Sequence, residues 1–303
     1  MKDYLSEVNT LFPMRRSDEE KAKFFGFVVS ELGKERVEKE GIDKNNNIVI
    51  GDVSEAKVII TAHYDTPAWS LVPNFMVPAN KVIGLILNLL FPIITAFFSL
   101  AVAFGIGALL SLDDSLSLII YLVLDFGIFL CMTRLFPNKN NKNDNTSGVA
   151  TLLSLASNIN NKNVAFILFD NEEKGLLGSK AYNKKHKMLM EDKLVINLDC
   201  VGNGDNMIFI ANEKAEKSAE YSLLLDAFAE EDDYFKVYHI SSKHGRANSD
   251  HKSFPCSVGV MAANEGGFVR FITGRIHTSK DTVANLENIE FLYNRLSQFL
   301  NNI

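Results

Sequence analysis

The rhythm of apolar and polar positions changes twice along this chain, giving three regimes. Residues 1–35 carry a helical stripe: Ser17 and Glu20 stand at capping-box spacing, and an apolar face follows in AKFFGFVVSELG. Residues 34–40 and 47–53 read as two strands around an asparagine-rich turn, DKNNN. The run KVIITAHYD at 57–65 is almost continuously apolar and β-branched, which predicts a central strand buried on both faces.

The second regime is apolar throughout. Residues 82–110 include no charge, and after the acidic turn SLDDS residues 116–136 include only Asp125 and Arg134. About 20 apolar residues cross a bilayer core, so two such runs predict a helical hairpin. Lys81 precedes it, Arg134, Lys139 and Lys142 close it, and its turn carries Asp113 and Asp114 but no Lys or Arg. The positive-inside rule then places both ends in the cytoplasm, giving a cell-membrane protein with two spans and a cytoplasmic catalytic domain. A soluble lid or a dimer-forming arm is the other reading of the same hairpin. Asp125, costly in lipid if alone, is expected to pair within the bundle.

Alternation returns in the third regime. Helices are expected at 147–156, 178–190, 213–230 and 286–300, and strands at 164–169, 193–199, 235–240 and 258–262. Strands alternating with helices predict an α/β three-layer sandwich, its sheet mixed but mainly parallel and flanked by helices. Residues 1–80 and 138–303 read as two parts of one domain, split by the insert 81–137.

The net charge of −6 gives no footprint for nucleic acid. Three scattered cysteines, Cys131, Cys200 and Cys256, make no disulfide framework and point to a reducing compartment. The first residues lack the basic-then-apolar order of a signal peptide.

Chemistry concentrates in five short segments: AHYD at 62–65, DNTSG at 144–148, DNEEKG at 170–175, NLD at 197–199 and IHT at 276–278. Imidazoles and carboxylates together form a ligand set suited to zinc, but only a fold can unite groups more than 200 residues apart. His63 and Asp65 lie two apart on a strand end and therefore on one side, where Asp65 can orient a metal-binding imidazole.

In this order the five segments resemble the motifs of the co-catalytic two-zinc aminopeptidases, a family that includes leucyl aminopeptidases, aminopeptidase S-like enzymes and glutaminyl cyclases. The strand and turn of residues 164–179, ending NEEKGLLGS, carry the strongest likeness. The resemblance implies two Zn²⁺ per chain and a peptide substrate. It implies His63 and Asp199 on one ion, Glu173 and His277 on the other, and Asp144 bridging both. It makes Glu172 the general base and Asp65 the residue that orients His63. Ser249, Asp250 and His251 resemble a loop near the family's substrate pocket. One departure is large: His63 and Asp144 stand 81 residues apart, far more than is usual in that family, and the hairpin fills the gap. The expected function is removal of N-terminal residues from peptides. A glutaminyl cyclase-like or carboxypeptidase-like zinc enzyme is an alternative, with Arg246, Arg270 and Arg275 as candidate carboxylate clamps. So is a catalytically inactive membrane scaffold of the same fold. The sequence sets no oligomeric state.

Overall fold

A computed structural model describes residues 2–71, 73–131, 135–230 and 232–303. The N-terminal stripe forms two helices, α1 (Tyr4–Leu11) and α2 (Asp18–Leu32), parted at Phe12 and Pro13. The capping box forms: Glu20 N–H donates to the Ser17 hydroxyl at 3.3 Å, and Ser17 N–H to the Glu20 carboxylate at 2.8 Å. A hairpin of β1 (Val37–Ile42) and β2 (Asn45–Ile50) follows. Its turn is only Asp43 and Lys44, both at positive φ, as a tight two-residue connection requires. Three asparagines read as turn residues, Asn45, Asn46 and Asn47, therefore lie inside β2.

Then come β3 (Val58–His63), the apolar helices α3 (Lys81–Leu110) and α4 (Asp114–Leu130), α5 (Gly148–Asn158), β4 (Val164–Phe169), α6 (Leu177–Lys185), α7 (Lys187–Met190) and β5 (Leu194–Leu198). The chain ends with β6 (Asn206–Ala211), α8 (Glu213–Glu216), α9 (Ala219–Ala227), β7 (Lys236–Ser241), β8 (Ser257–Glu265), β9 (Phe271–Ile272) and α10 (Leu286–Asn301). Two expected helices are divided. The one over 178–190 breaks at His186, and the one over 213–230 breaks at Ser218, whose side chain caps α9 by accepting from Tyr221 N–H. Strand β6 was not expected from the sequence, although its MIFIA core is bounded by Gly204-Asp205 and Asn212.

The strands form one sheet in the order β1-β2-β4-β3-β5-β8-β6-β7, with β9 paired to β8. The central run β4-β3-β5-β8 is parallel, as is β6-β7. The pairings β1-β2, β2-β4, β6-β8 and β8-β9 are antiparallel. The sheet is thus evenly mixed rather than mainly parallel, because a β-hairpin extends one side of the parallel centre and β6 enters the other side reversed. Every residue of β3, β4 and β5 is buried, as expected where helices cover both faces. Val58, Ile60 and Ala62 pack with α1, α2, α5, α9 and α10, whereas Ile59 packs with Tyr182 of α6 and Met190 of α7.

The hairpin reverses this polarity. Its buried residues are small or polar: Ser99, Ala103 and Gly107 at four-residue spacing on α3, and Ser117 on α4. Its large apolar groups point outward, with Phe97 69%, Leu109 82% and Val123 67% exposed. Among the described residues one helix, α3, is long and apolar enough to cross a membrane, with a mean hydropathy of 2.4. The expectation of two spans meets a shorter α4, which ends at Leu130 after 17 residues. Asp125 has no hydrogen-bond or ion-pair partner among the described residues, and Arg134 lies outside them.

Gly178 shows how tightly the α6 start packs: a methyl group there would overlap the Asp170 carbonyl and the Asn47 amide. Exposed Gly26, inside α2, has open space around it. We expect Gly178→Ala to destabilise the protein by about 1–3 kcal/mol and Gly26→Ala to stabilise it by about 0.5–1 kcal/mol. Thermal midpoints in mild detergent measure both, and a Gly178→Ala midpoint at or above wild type would contradict the packing described.

Candidate metal centre

Parallel strands deliver the site. His63 is the last residue of β3 and pairs in register with Phe169, the last of β4, while β5 ends beside them at Leu198. Glu172 and Glu173 follow β4 by a few residues and Asp199 follows β5 directly. The carboxyl ends of parallel strands are where open α/β sheets place ligands. Asp144 reaches the same point from the turn Lys142–Ser147 that precedes α5, and His277 arrives on the loop after β9 with φ of 64°. The Asp144–Asn145 peptide is cis.

The five expected ligands converge. His63 Nε2 lies 3.3 Å from Asp144 Oδ1 and 3.6 Å from Asp199 Oδ1. His277 Nε2 lies 3.1 Å from Asp144 Oδ2 and 3.4 Å from Glu173 Oε2. Asp144 therefore turns one carboxylate oxygen to each imidazole. Three sets, His63–Asp144–Asp199, Asp144–Glu173–His277 and His63–Glu172–Glu173, each bring their ligand atoms within 4.8 Å of one another. Glu173 Oε1 and Asp199 Oδ1 are buried and accept no hydrogen bond. Buried anionic oxygens left without donors are costly, and a cation satisfies them, so the residues fit a metal.

Asp65 contacts both His63 and the turn that carries the glutamates. Its Oδ1 lies 3.5 Å from His63 Nδ1, and its carboxylate also accepts the backbone N–H groups of Glu172 at 3.0 Å and Glu173 at 3.2 Å. His63 Nδ1 also lies 3.2 Å from the Asp65 backbone carbonyl, so Asp65 meets the imidazole through both main chain and side chain while its carboxylate fixes the acidic turn. Several supporting residues escaped the sequence reading. Buried Lys21 of α2 lies 2.5 Å from Asp170 Oδ1 and donates to Asn171 Oδ1 at 2.9 Å. Asn46 N–H donates to Asp170 Oδ2, Asn47 Oδ1 accepts from Asp170 N–H, and Asn45 Oδ1 accepts from the Asn171 amide. Asp281 accepts the backbone N–H groups of Asn143 and Asp144 at 3.0 and 3.1 Å. Asn145 ties the start of α5 to β5, donating to Leu198 O at 2.9 Å and accepting from Cys200 N–H at 3.2 Å. A signal existed for Lys21: it lies on the same helical stripe as Phe24 and Val28, where a solvated lysine does not belong.

Charge crowding governs protonation here. Burial pushes Glu173 up to about 8 and Glu172 well above its ordinary value, with neighbouring acids adding to the effect. Burial would lower His277, but Glu173 and Asp144 outweigh it and hold the imidazole up at about 9. Burial likewise opposes the charge on Asp144, yet His277 and His63 bring its carboxyl below the ordinary range. Asp250 and His251, on the loop that resembles one near the family's substrate pocket, are both buried. Burial pushes Asp250 up to about 7 and His251 down to about 4. Cys200 lies two residues beyond the end of β5, with φ of 57°. Burial, then Asp144 and Asp199, hold its thiol well above its ordinary range.

The model of Peptidase family M28 matches residues 137–293, just over half of the chain. The chain belongs to that family. The matched stretch of this M28 peptidase contains Asp144, Glu172, Glu173, Asp199 and His277; His63 and the hairpin lie before it. No curated sequence matches the chain. Among solved structures it is similar to the LapA aminopeptidase of Legionella pneumophila, at 16% identity and a TM-score of 0.55, over 98% of this chain and 69% of that one. It is also similar to BSAP, a zinc aminopeptidase from Bacillus subtilis, at 15% identity and a TM-score of 0.51, over 85% of this chain and 49% of that one. The glutaminyl cyclase of Porphyromonas gingivalis is similar at 13% identity and a TM-score of 0.58, over 99% of this chain and 97% of that one. At such identities the likeness is one of fold.

Lys21 provides a test of the scaffold behind the site. Burial holds the Asp170 carboxyl above its ordinary range, with Lys21 acting against it. Removing the cation leaves a buried charge, so Lys21→Met is expected to cost about 3–5 kcal/mol near neutral pH. Because the folded pKa is raised, that penalty is full above it and fades as pH falls toward the ordinary carboxylate value. Denaturation as a function of pH measures this, with Lys21→Met/Asp170→Asn recovering part of the loss. A pH-independent deficit would refute this account.

Proposed function

We propose that this peptidase removes N-terminal residues from peptides at a site holding two zinc ions, and that its hairpin seats it in a membrane. The observation that carries the first part is the placement of Asp144, one oxygen toward each imidazole. His63 and Asp199 would hold one ion, Glu173 and His277 the other, and Asp144 both. A bound pair of zinc ions supplies polarisation of the scissile carbonyl and acidification of water. The chain's own groups do the rest. Glu172, whose burial favours holding a proton, takes one from the attacking water and passes it to the departing amine. Asp65 holds Glu172 in place through its backbone N–H and keeps His63 oriented. Asp281 fixes the bridging residue from behind.

The cavity beside the cluster, about 250 Å³, favours the amino end of a peptide. Among the described residues that line it, Glu173 is the acid and none is Arg or Lys. Of the candidate carboxylate clamps, Arg246 lines a neighbouring cavity, and Arg270 stacks over Tyr238 and Phe271. Cyclisation of N-terminal glutamine is the second reading, supported by the fold likeness that spans nearly all of the cyclase. The inactive-scaffold reading conflicts with a complete donor set.

Inverted polarity supports the membrane reading. Small residues at four-residue spacing let helices approach closely in lipid, and outward Phe, Leu and Ile suit hydrocarbon rather than water. We place residues 82–136 in the bilayer as two spans, with 1–80 and 138–303 forming one catalytic domain on the cytoplasmic side.

Zinc-loaded protein is expected to release p-nitroanilide from Leu-, Met- or Ala- substrates and to carry two metal ions per chain. Glu172→Gln should lower kcat by about 10²–10⁴-fold with metal content intact. Release of ammonia from glutaminyl peptides without release of N-terminal residues would favour the cyclase reading, and unchanged turnover in Glu172→Gln would remove the assigned base. Replacing residues 82–136 by a short linker should move the protein from the membrane pellet to the supernatant. Undiminished membrane recovery would sink the anchoring role.

A further inference from the structure

The hairpin touches the site directly. The cavity bounded by Glu173 and His277 has α3 as its opposite wall, through Leu87, Asn88, Phe91 and Pro92. Positions 87, 88, 91 and 92 fall on one helical face. Asn88 tethers that face, donating to Phe75 O at 3.0 Å and Gly84 O at 2.8 Å. The segment entering the hairpin runs beside the His277 loop: Ser70 N–H donates to His277 O at 2.7 Å, and Met76 and Thr273 exchange backbone hydrogen bonds. The segment leaving it joins the same strip, since Trp69 N–H donates to Phe136 O at 2.7 Å. Backbone hydrogen bonds therefore tie the wall to the strip that carries His277.

The wall's position along α3 fixes where the substrate waits. From Ile93 to Leu110 the helix rises about 27 Å at 1.5 Å per residue, close to the thickness of a bilayer core. On the membrane reading proposed above, Leu87 and Phe91 precede that stretch and fall at the boundary between hydrocarbon and headgroups. A side chain entering the cavity meets Leu87, Phe91 and Pro92 on one side and the metal ligands on the other.

Resting on the aminopeptidase reading above, we propose that Leu87 and Phe91 determine specificity. They select peptides with apolar ends that lie at the bilayer surface, over polar peptides from bulk water. Removing two large apolar contacts from a cavity of this size should affect apolar ligands alone, since a polar peptide end gains little from them.

The test uses the full chain, zinc-loaded and reconstituted in phosphatidylcholine–phosphatidylglycerol nanodiscs, with two peptides beginning Leu-Phe-Leu and Ala-Ser-Gly. Wild type should favour the first. Leu87→Ser/Phe91→Ser should lower kcat/KM for the apolar peptide about 10–100-fold and leave the polar one within twofold, and Phe91→Leu should keep most of the preference. A second readout needs no turnover. In Glu172→Gln, fluorescence of the chain's single tryptophan, Trp69 beside the cavity, should report apolar-peptide binding that weakens when Leu87→Ser/Phe91→Ser is added. Equal losses on both peptides, or none, would overturn the specificity role while leaving the aminopeptidase reading intact. A wild type that releases no residue from either peptide would overturn that reading and this one with it.

Discussion

A dense group of acids around two imidazoles, set at the carboxyl ends of the parallel central strands, is the constraint to which the rest of this structure answers. Asp144, Glu172, Glu173 and Asp199 crowd His63 and His277 at distances where like charges cannot all ionise without a cation. Such a cluster resists its own assembly, so the fold holds it from several directions. Asp65 and Asp281 grip backbone N–H groups, Lys21 neutralises Asp170, and three asparagines of β2 pin the turn that carries the glutamates. Removing any of these supports acts on the chemistry only through the positions of the ligands.

Much of this architecture was legible because period and burial agree. The strand ending at His63 announces itself by an unbroken β-branched run, and the Ser17 cap by its spacing to Glu20. The five ligand segments could be ordered by likeness, but convergence is a property of strand register and cannot be read from spacing. What stayed hidden has physical causes. The Asn45, Asn46 and Asn47 triplet looks like a turn because asparagine favours turns, yet here its amides serve the loop after β4. The sheet came out evenly mixed because the entry direction of β6 depends on partners more than 40 residues away. Helices expected to be continuous break at His186, where no side-chain cap forms, and at Ser218, where the hydroxyl caps the next helix.

The hairpin shows the opposite relation between sequence and environment. In the catalytic domain, large apolar side chains face inward; in α3 and α4 the small ones do, and phenylalanines and leucines face out. The same hydrophobic effect accounts for both arrangements on the membrane reading proposed above, in which lipid replaces water around the hairpin. The insertion point matters as much as the composition. Entering after β3 and leaving before the Asp144 turn, the hairpin is bonded at both ends to the strip beside His277.

That placement has a consequence for the order in which the molecule is made. His63 precedes the hairpin, whereas the other four proposed ligands follow it, the last more than 200 residues downstream of the first. A nascent chain therefore emits its most water-averse stretch while holding only one of the five groups that would grasp metal. By the time His277 is synthesised, residues 82–110 have been complete for more than 160 residues. The growing polypeptide therefore completes its longest apolar helix well before the donor set can close.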